Sequence, residues 1–206
     1  MRIVREGSLY ILVPSALMVL FLFLKLWPVA IAFALLAAFM AYFFRDPRRN
    51  PPLDKNVVVS PADGRVTRVA TVEEGKEPSA TLVSIFLSPL DVHINRAPIA
   101  GEITRVAYTR GKFLMATDQN ASLVNEQNAL TIEGENVTVV CKQIAGILAR
   151  RIVCWKHAGE RLALGERFGL IKFSSRTDLL LPANVEVLAT VGQRVKGGTT
   201  IIGRIR

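Results

Sequence analysis

The sequence has 206 residues, half of them hydrophobic, and carries a formal net charge of +9 at pH 7. This length suits one catalytic domain with an anchor rather than several domains. The basic residues are scattered along the chain, which argues against a nucleic-acid partner and favours an anionic membrane surface. Cys141 and Cys154 match no metal-ligand spacing, so we predict no metal site and two reduced cysteines in the core or on strands.

Two apolar stretches without charge open the chain, at residues 7–24 and 26–44, with Lys25 between them. Each is about long enough to cross a bilayer as a helix. Trp27-Pro28, between the stretches, favours a tight helical hairpin. Its outer ends are flanked by basic residues, so both ends are expected in the cytoplasm and the catalytic domain on the cytosolic face of the cell membrane. A shallow, re-entrant hairpin is the alternative that these lengths leave open.

The chain after the hairpin is predicted to be mostly β. Prolines at 47, 51 and 52 form a stiff exit linker, which suggests a hairpin and linker over residues 1–50 and a catalytic domain over residues 51–206. Short β-branched runs separated by turn signals predict a compact sandwich or barrel-like β domain. The predicted strands are 57–59, 66–72, 81–87, 103–108, 129–132, 137–144, 170–173 and 185–191. Residues 113–128 are irregular and leave a short helix or a flexible loop open.

The tail at residues 185–199 is similar to half of a lipoyl- or biotinyl-type domain, in which a Gly-rich turn joins two strands. The Met-Lys hairpin that holds the carrier lysine of such domains is absent from the sequence. We therefore interpret the tail as part of the fold. A membrane-tethered, lipoyl-like structural module is one alternative to an enzyme.

Ser174-Ser175 follows a strand-like apolar run and is a candidate site of self-cleavage. Attack of the Ser175 hydroxyl on the preceding carbonyl turns the amide into an ester, and elimination leaves a downstream chain that begins with a pyruvoyl group. That group is an electrophilic ketone and acts as an electron sink. Two serines in a solvated loop are the simpler interpretation of the same residues.

A self-cleaving serine needs a base, and a histidine oriented by an aspartate would supply one. His93 lies in a Pro-bounded loop after a predicted strand, where catalytic groups are often held. Asp63 lies in an Asp-Gly sequence that also fits a hairpin turn. His157, the second histidine, falls in a segment with the composition of an exposed turn. Spacing alone does not bring Asp63, His93 and Ser175 together.

The chain resembles the short, membrane-anchored form of phosphatidylserine decarboxylase over essentially its whole length. The segments that carry the resemblance include Phe43-Phe44-Arg45-Asp46-Pro47, Ser60-Pro61-Ala62-Asp63-Gly64, Ser88-Pro89-Leu90-Asp91-Val92-His93, Gly111-Lys112-Phe113, Asn125-Glu126 and Gly165-Glu166-Arg167-Phe168-Gly169. Two positions depart from the family pattern: Ser174 stands where the family usually has Gly, and Gln127 where it often has Arg.

The resemblance implies a proenzyme that cuts itself into a β chain ending at Ser174 and an α chain starting at Ser175. It assigns Asp63, His93 and Ser175 to the self-processing triad and makes residue 175 the pyruvoyl cofactor. It implies conversion of phosphatidylserine, an anionic phospholipid of the membrane, to phosphatidylethanolamine and carbon dioxide, with His93 as the acid. An uncleaved, non-catalytic lipid-binding homologue is the second alternative, and a homo-oligomer is left open.

Overall fold

The structure, a computed structural model, describes residues 2–72, 80–115, 118, 121–147, 151–173 and 175–206. The chain forms two compact units, Met1–Arg48 and Arg49–Arg206. The first unit is helical, and the second is built almost entirely from antiparallel strands. The predicted class, a mostly β protein preceded by an apolar helical hairpin, is confirmed.

The first unit is a pair of apolar helices, α1 (Ser8–Phe23) and α2 (Trp27–Phe43). A 3-10 turn (Arg5–Gly7) leads into α1, and two short strands, β1 (Arg2–Ile3) and β2 (Arg45–Asp46), pair antiparallel at the open end. Phe21 stacks on Phe33 across the hairpin, with ring centroids 5.5 Å apart. The run Arg5–Phe23 is long and apolar enough to cross a membrane, whereas α2, with 17 residues, would span roughly 25 Å.

The link between the helices is shorter than the sequence suggested. Trp27 and Pro28 lie in the first turn of α2, where a proline costs nothing because its missing N–H has no helical acceptor. The chain reverses instead at Lys25, whose φ of 58° lies in the left-handed region.

The second unit contains fourteen described strands and one short helix, α3 (Ala121–Val124). The strands are β3 (Val57–Val59), β4 (Gly64–Val72), β5 (Ala80–Leu87), β6 (Ile94–Arg96), β7 (Gly101–Thr109), β8 (Gln127–Glu133), β9 (Thr138–Ala145), β10 (Ile152–Cys154), β11 (Arg161–Leu162), β12 (Arg167–Ile171), β13 (Ser175–Leu181), β14 (Val185–Val187), β15 (Arg194–Val195) and β16 (Ile201–Ile205).

One curled sheet of eight strands dominates this unit, in the order β11-β7-β8-β9-β13-β5-β4-β15. Two three-stranded sheets, β10-β12-β6 and β14-β16-β3, accompany it. Side chains such as Val83, Ile85, Leu130 and Leu179 form a continuous apolar core with residues of the smaller sheets. β13 is central in the large sheet, hydrogen-bonded to β5 on one side and β9 on the other.

All eight predicted strands overlap observed ones, and most of their bounds differ by one to three residues. The strand predicted at 185–191 ends earlier, at Val187. The tail is divided between sheets, because β14 and β16 pair with each other while β15 pairs with β4. The lipoyl-like detail is therefore not confirmed. The strands that the sequence did not predict include β13, which carries Ser175.

Candidate active site

Ser175 is the first residue of β13 and lies at the centre of the large sheet. Its backbone is opposite Leu87 of β5 and Ala145 of β9, and its side chain is completely buried. The Oγ atom has no hydrogen-bond partner among the described residues. A buried hydroxyl without a partner costs about 1–3 kcal/mol. Such an atom in a well-paired strand is therefore a candidate for a chemical role.

The backbone just before Ser175 is strained. Phe173 has φ of 62°, in the left-handed region that disfavours a bulky residue by about 1–2 kcal/mol. Ser174, the other residue of the predicted cleavage site, lies outside the described residues. Strain of this kind clusters at functional sites.

His93 lies beside the segment that leads into Ser175. Residues 88–92 connect Leu87, which is opposite Ser175, to His93. The carbonyl oxygen of His93 accepts a 3.2 Å hydrogen bond from the backbone N–H of Ile171. The loop of residues 88–93 is thus held at one end near Ser175 and at the other end by Ile171. The fold brings the backbones of His93 and Ser175 into one region of the sheet.

The imidazole ring of His93 is buried and oriented by backbone. Its Nδ1 lies 2.9 Å from the carbonyl oxygen of Asp91, an atom that only accepts hydrogen bonds. Nδ1 therefore carries the hydrogen, and in the neutral ring the basic lone pair is on Nε2. This tautomer is the one that a general base acting through Nε2 requires.

Asp91 was not identified from the sequence, and it organises the loop that carries His93. Its Oδ2 accepts hydrogen bonds from the backbone N–H and the hydroxyl of Ser88, at 2.9 and 2.8 Å, and Arg194 approaches Oδ1 at 3.4 Å. The available signal was the Ser-x-x-Asp spacing, which is typical of a side-chain-stabilised turn.

Asp63 lies one strand further from Ser175. It precedes Gly64, the first residue of β4, and β4 pairs with β5, which separates it from β13. A Cβ atom on Gly64 would lie 2.1 Å from the carbonyl oxygen of Phe86, and its φ is +151°. Glycine is required there because the two strand backbones approach so closely.

The carboxylate of Asp63 has two partners. Oδ2 accepts a 2.6 Å hydrogen bond from the Arg49 guanidinium, and Oδ1 accepts one of 2.8 Å from the backbone N–H of Gly197. Burial raises the pKa of Asp63 above its usual value, and the charge of Arg49 opposes that rise. The carbonyl of Asp91, not this carboxylate, holds Nδ1 of His93. The structure thus gives Asp63 a different contact from the one expected of a triad.

A chain of buried amides supports the same end of the sheet, on the Ser175 face of β13. Asn95 donates to Thr177 Oγ1 at 2.9 Å, Gln143 donates to Asn95 Oδ1 at 2.9 Å, and Asn128 donates to Gln143 Oε1 at 3.0 Å. All four side chains are buried. Thr177 shares a strand face with Ser175 because successive strand residues alternate. This network was missed, because its members are scattered polar residues in otherwise apolar strands.

The opposite face of β13 carries a buried ion pair. Arg176 donates to both carboxylate oxygens of Asp178, at 2.8 and 2.9 Å. The same guanidinium donates to the carbonyl of Asp118, at 3.1 Å, and to the hydroxyl of Ser122. Arg176 therefore connects the strand that begins with Ser175 to the segment around α3.

That segment is also attached to β9. The Asn125 amide donates to the carbonyl oxygens of Ala145 and Leu114, at 2.8 and 2.9 Å, and its oxygen accepts from the N–H of Leu114 at 2.9 Å. Ala145 is the residue opposite Ser175. The sequence left the segment between β7 and β8 as a helix or a loop; its described residues form a border of the site that includes α3.

The remaining candidates are unremarkable in position. Cys141 lies buried in β9 and Cys154 lies half-buried in β10, both as free thiols. Burial raises the pKa of both thiols, so they stay protonated. His157 is exposed beside Glu160, as its turn-like sequence predicted.

Comparison with known proteins gives a single family. A family model described as phosphatidylserine decarboxylase matches residues 36–203. A "phosphatidylserine decarboxylase proenzyme" of Symbiobacterium thermophilum is 50% identical over 208 residues, covering 98% of this chain and 95% of the relative. The protein of that name from Solibacter usitatus is 48% identical, covering 99% and 97%, and that from Gluconobacter oxydans is 51% identical, covering 82% and 77%. The chain therefore belongs to the phosphatidylserine decarboxylase family of enzymes.

Proposed function

We propose that this chain is a self-processing, pyruvoyl-dependent decarboxylase that converts phosphatidylserine to phosphatidylethanolamine and carbon dioxide. The observation that carries the proposal is the Oγ atom of Ser175, buried at the start of a central strand without a partner among the described residues. A serine held this way is available for a reaction with its own backbone. Family membership supplies the substrate class.

In the proposed processing step, Nε2 of His93 takes the proton of the Ser175 hydroxyl. Oγ then adds to the carbonyl carbon of Ser174, the C–N bond breaks, and the nitrogen of residue 175 receives a proton. The product is an ester between Ser174 and Oγ, with a free amine on residue 175. The left-handed backbone at Phe173 favours this step, because strain stored before the bond is lost when the bond breaks.

Elimination completes the cut. A base removes the Cα hydrogen of residue 175, the Cβ–Oγ bond breaks, and Ser174 leaves as a carboxylate at the end of the β chain. Water then replaces the nitrogen of residue 175, ammonia departs, and a pyruvoyl group remains at the start of the α chain. When present, this group supplies a ketone that accepts the electrons released as carbon dioxide leaves.

The surroundings of Ser175 fit such a group. Ladder hydrogen bonds between β13 and both β5 and β9 hold the first residue of the α chain in place after the cut. The same ladders keep the α and β chains together without a covalent link. Burial of residue 175 excludes water, which would otherwise protonate a reacting carbon at random. His93, in the loop beside it, is positioned to return a proton to the product.

Asp63 has an electrostatic role in this proposal. Its carboxylate holds the buried guanidinium of Arg49 and the backbone of Gly197 beside the loop of His93, and it lies close enough to Asp91 for their charges to interact. The imidazolium formed when His93 takes a proton is stabilised by nearby negative charge. Asp63 and Asp91 supply that charge, and the Asp91 carbonyl holds Nδ1 of the ring.

The apolar hairpin anchors the enzyme where its substrate lies. A two-chain phospholipid stays in the bilayer, so the site has to be held at the membrane surface. The basic residues that flank the hairpin support a cytosolic location of the second unit, because such residues are enriched on the cytoplasmic side of membranes.

An intact-mass spectrum of the denatured protein tests the proposal. Two masses, separated at the bond before residue 175, are expected, and the smaller should lack the nitrogen of a normal N-terminus. Incubation with a hydrazide, which reacts with ketones, should add one equivalent to the α chain and inhibit release of carbon dioxide from phosphatidylserine. A single mass equal to the full chain would reject self-processing and leave a lipid-binding relative.

A further inference from the structure

The two ends of the large sheet differ in chemistry. Ser175, Leu87 and Ala145 share one end, and by strand register Gln127 of β8 and Thr109 of β7 lie at that same end. The loops that border Ser175 therefore include those between β7 and β8 and between β9 and β10, in addition to the loop of His93. Glu102 pairs with Glu133 at the far end of β7 and β8.

Large apolar side chains project into solvent from the loops around Ser175. Leu123 is 79% exposed, Met115 62%, Ile147 54% and Val124 36%. Three basic residues accompany them on the same loops, all exposed: Arg110, Lys112 and Arg151. The acidic residues described on the β7–β8 loop are Asp118 and Glu126. We call these four apolar and three basic residues the catalytic rim.

The opposite end has the reverse charge. A groove there is bordered by four acidic residues and two basic ones: Asp54, Glu102, Glu133, Glu135, Lys55 and Arg161. It also contains Leu53, whose side chain is completely exposed. The acidic end would be repelled by an anionic surface, whereas the rim would be attracted to it.

The rim is held in place rather than carried on a loose loop. In the single turn of α3, Ser122 accepts from Arg176 while its neighbour Leu123 points outward. Asn125 ties the same segment to Ala145. Exposed apolar residues on a fixed support are unusual in water and indicate an interaction surface.

We propose that the catalytic rim is a docking surface for an anionic lipid bilayer, which seats the entrance to Ser175 against the headgroups so that a phospholipid reaches the site without leaving the membrane. Apolar side chains interspersed with lysine and arginine are the composition of surfaces that bind at the bilayer interface. The charge difference between the two ends favours an anionic partner, and an anionic bilayer is the one that also holds the proposed phospholipid substrate. This inference rests on the proposed function, because it assumes that the substrate enters beside Ser175.

Depth-dependent fluorescence quenching tests the docking surface directly. Leu123→Cys in the full chain, carrying Cys154→Ser, is labelled with an environment-sensitive dye and reconstituted in phosphatidylglycerol-containing vesicles. Cys141 is fully buried and does not compete for the dye. Lipids brominated near the top of the acyl chain should quench the dye at position 123 and leave the matched label at Leu53→Cys unquenched. Equal quenching at both positions, or none at position 123, would overturn the proposal, as expected if a protein covers the rim.

Activity measurements separate docking from catalysis. Leu123→Glu should lower turnover of phosphatidylserine in anionic vesicles by about tenfold, since a charge at the interface opposes insertion. Turnover of a monomeric short-chain phosphatidylserine should stay within about twofold, and Leu53→Glu should change neither rate. Equal loss on both substrates would show that Leu123 supports the fold and would reject docking. If the parent chain proves uncut, the proposed function fails, while the quenching result still decides whether the rim meets lipid.

Discussion

The backbone N–H of Ile171 donates a 3.2 Å hydrogen bond to the carbonyl oxygen of His93. This one bond fixes the histidine loop against the segment that leads to Ser175. Because Leu87 is opposite Ser175 at the other end of that segment, the loop cannot slide along it without breaking strand pairing. The position of His93 relative to Ser175 is thus set by sheet register.

Ser175→Ala should abolish self-cleavage and leave one intact, inactive chain, since no other hydroxyl replaces Oγ. Ser84→Ala is the matched control, because Ser84 is also fully buried with an Oγ that lacks a partner among the described residues. That variant should be cut as fast as the parent. Neither change should lower the midpoint of thermal unfolding. Cleavage of Ser175→Ala at the same bond, seen by intact mass, would refute the assignment.

His93→Ala should slow self-cleavage by roughly 10²–10⁴-fold, the usual contribution of a general base. The rate is measured from the appearance of the α chain after synthesis in a cell-free system. His157→Ala, which changes the exposed histidine, should have no effect. Processing of His93→Ala at the parental rate would show that another group takes the proton.

Arg49→Gln should destabilise the second unit in a pH-dependent way. Burial raises the folded-state pKa of Asp63, so ionisation of this carboxyl opposes folding. The stability that the protonated Asp63 carboxyl contributes is therefore lost as the pH rises through the folded-state pKa. The positive charge of Arg49 limits this loss of stability, and removal of that charge raises the pKa of Asp63 further. The deficit of the variant should therefore be larger near neutral pH, about 1–3 kcal/mol, than at about pH 4.

Asp63→Asn in the Arg49→Gln background is the control for that experiment, because an amide does not ionise. The pH dependence of the deficit should disappear in the double variant. The stability deficit is measured by thermal unfolding at both pH values, with each variant made in the uncut Ser175→Ala chain. A deficit of equal size at both would mean that the charge pair does not carry the effect of Arg49.

Gln143→Leu should destabilise the domain and slow processing. It removes the donor to Asn95 Oδ1 and the acceptor of Asn128 Nδ2, at about 1–3 kcal/mol per buried group. Gln193→Leu is the comparison, since Gln193 Oε1 accepts only from Thr190 in an exposed turn. Denaturant unfolding of both variants measures the difference. Equal free energies of unfolding for the two variants would show that water or a side-chain rearrangement replaces the hydrogen bonds lost from the amide chain.

Ser174→Gly should leave processing equal or faster, because glycine removes a Cβ from a position that must approach the attacking hydroxyl. The rate is again that of α-chain appearance. A marked slowing would instead mean that the Ser174 hydroxyl takes part in the cut.

The hairpin and most strands were predictable from the sequence because their signals are local. An apolar run of helical length, or a short β-branched run between turns, fixes its own type wherever it packs. β13 was not predicted from the sequence because it is covered on both faces. It starts with four polar residues, Ser175-Arg176-Thr177-Asp178, which do not alternate with apolar residues. Their burial depends on partners elsewhere in the chain.

The sequence by itself determined the apolar helical hairpin, the β class and, through family motifs, the residues worth testing. Only the tertiary structure decided that His93 is held by the Asp91 carbonyl while Asp63 pairs with Arg49, and that Asn95 meets Thr177 across 82 residues of chain. Such contacts are made by strand register across the sheet. Spacing along the chain carries no record of them, because register is a property of paired strands and not of either strand alone.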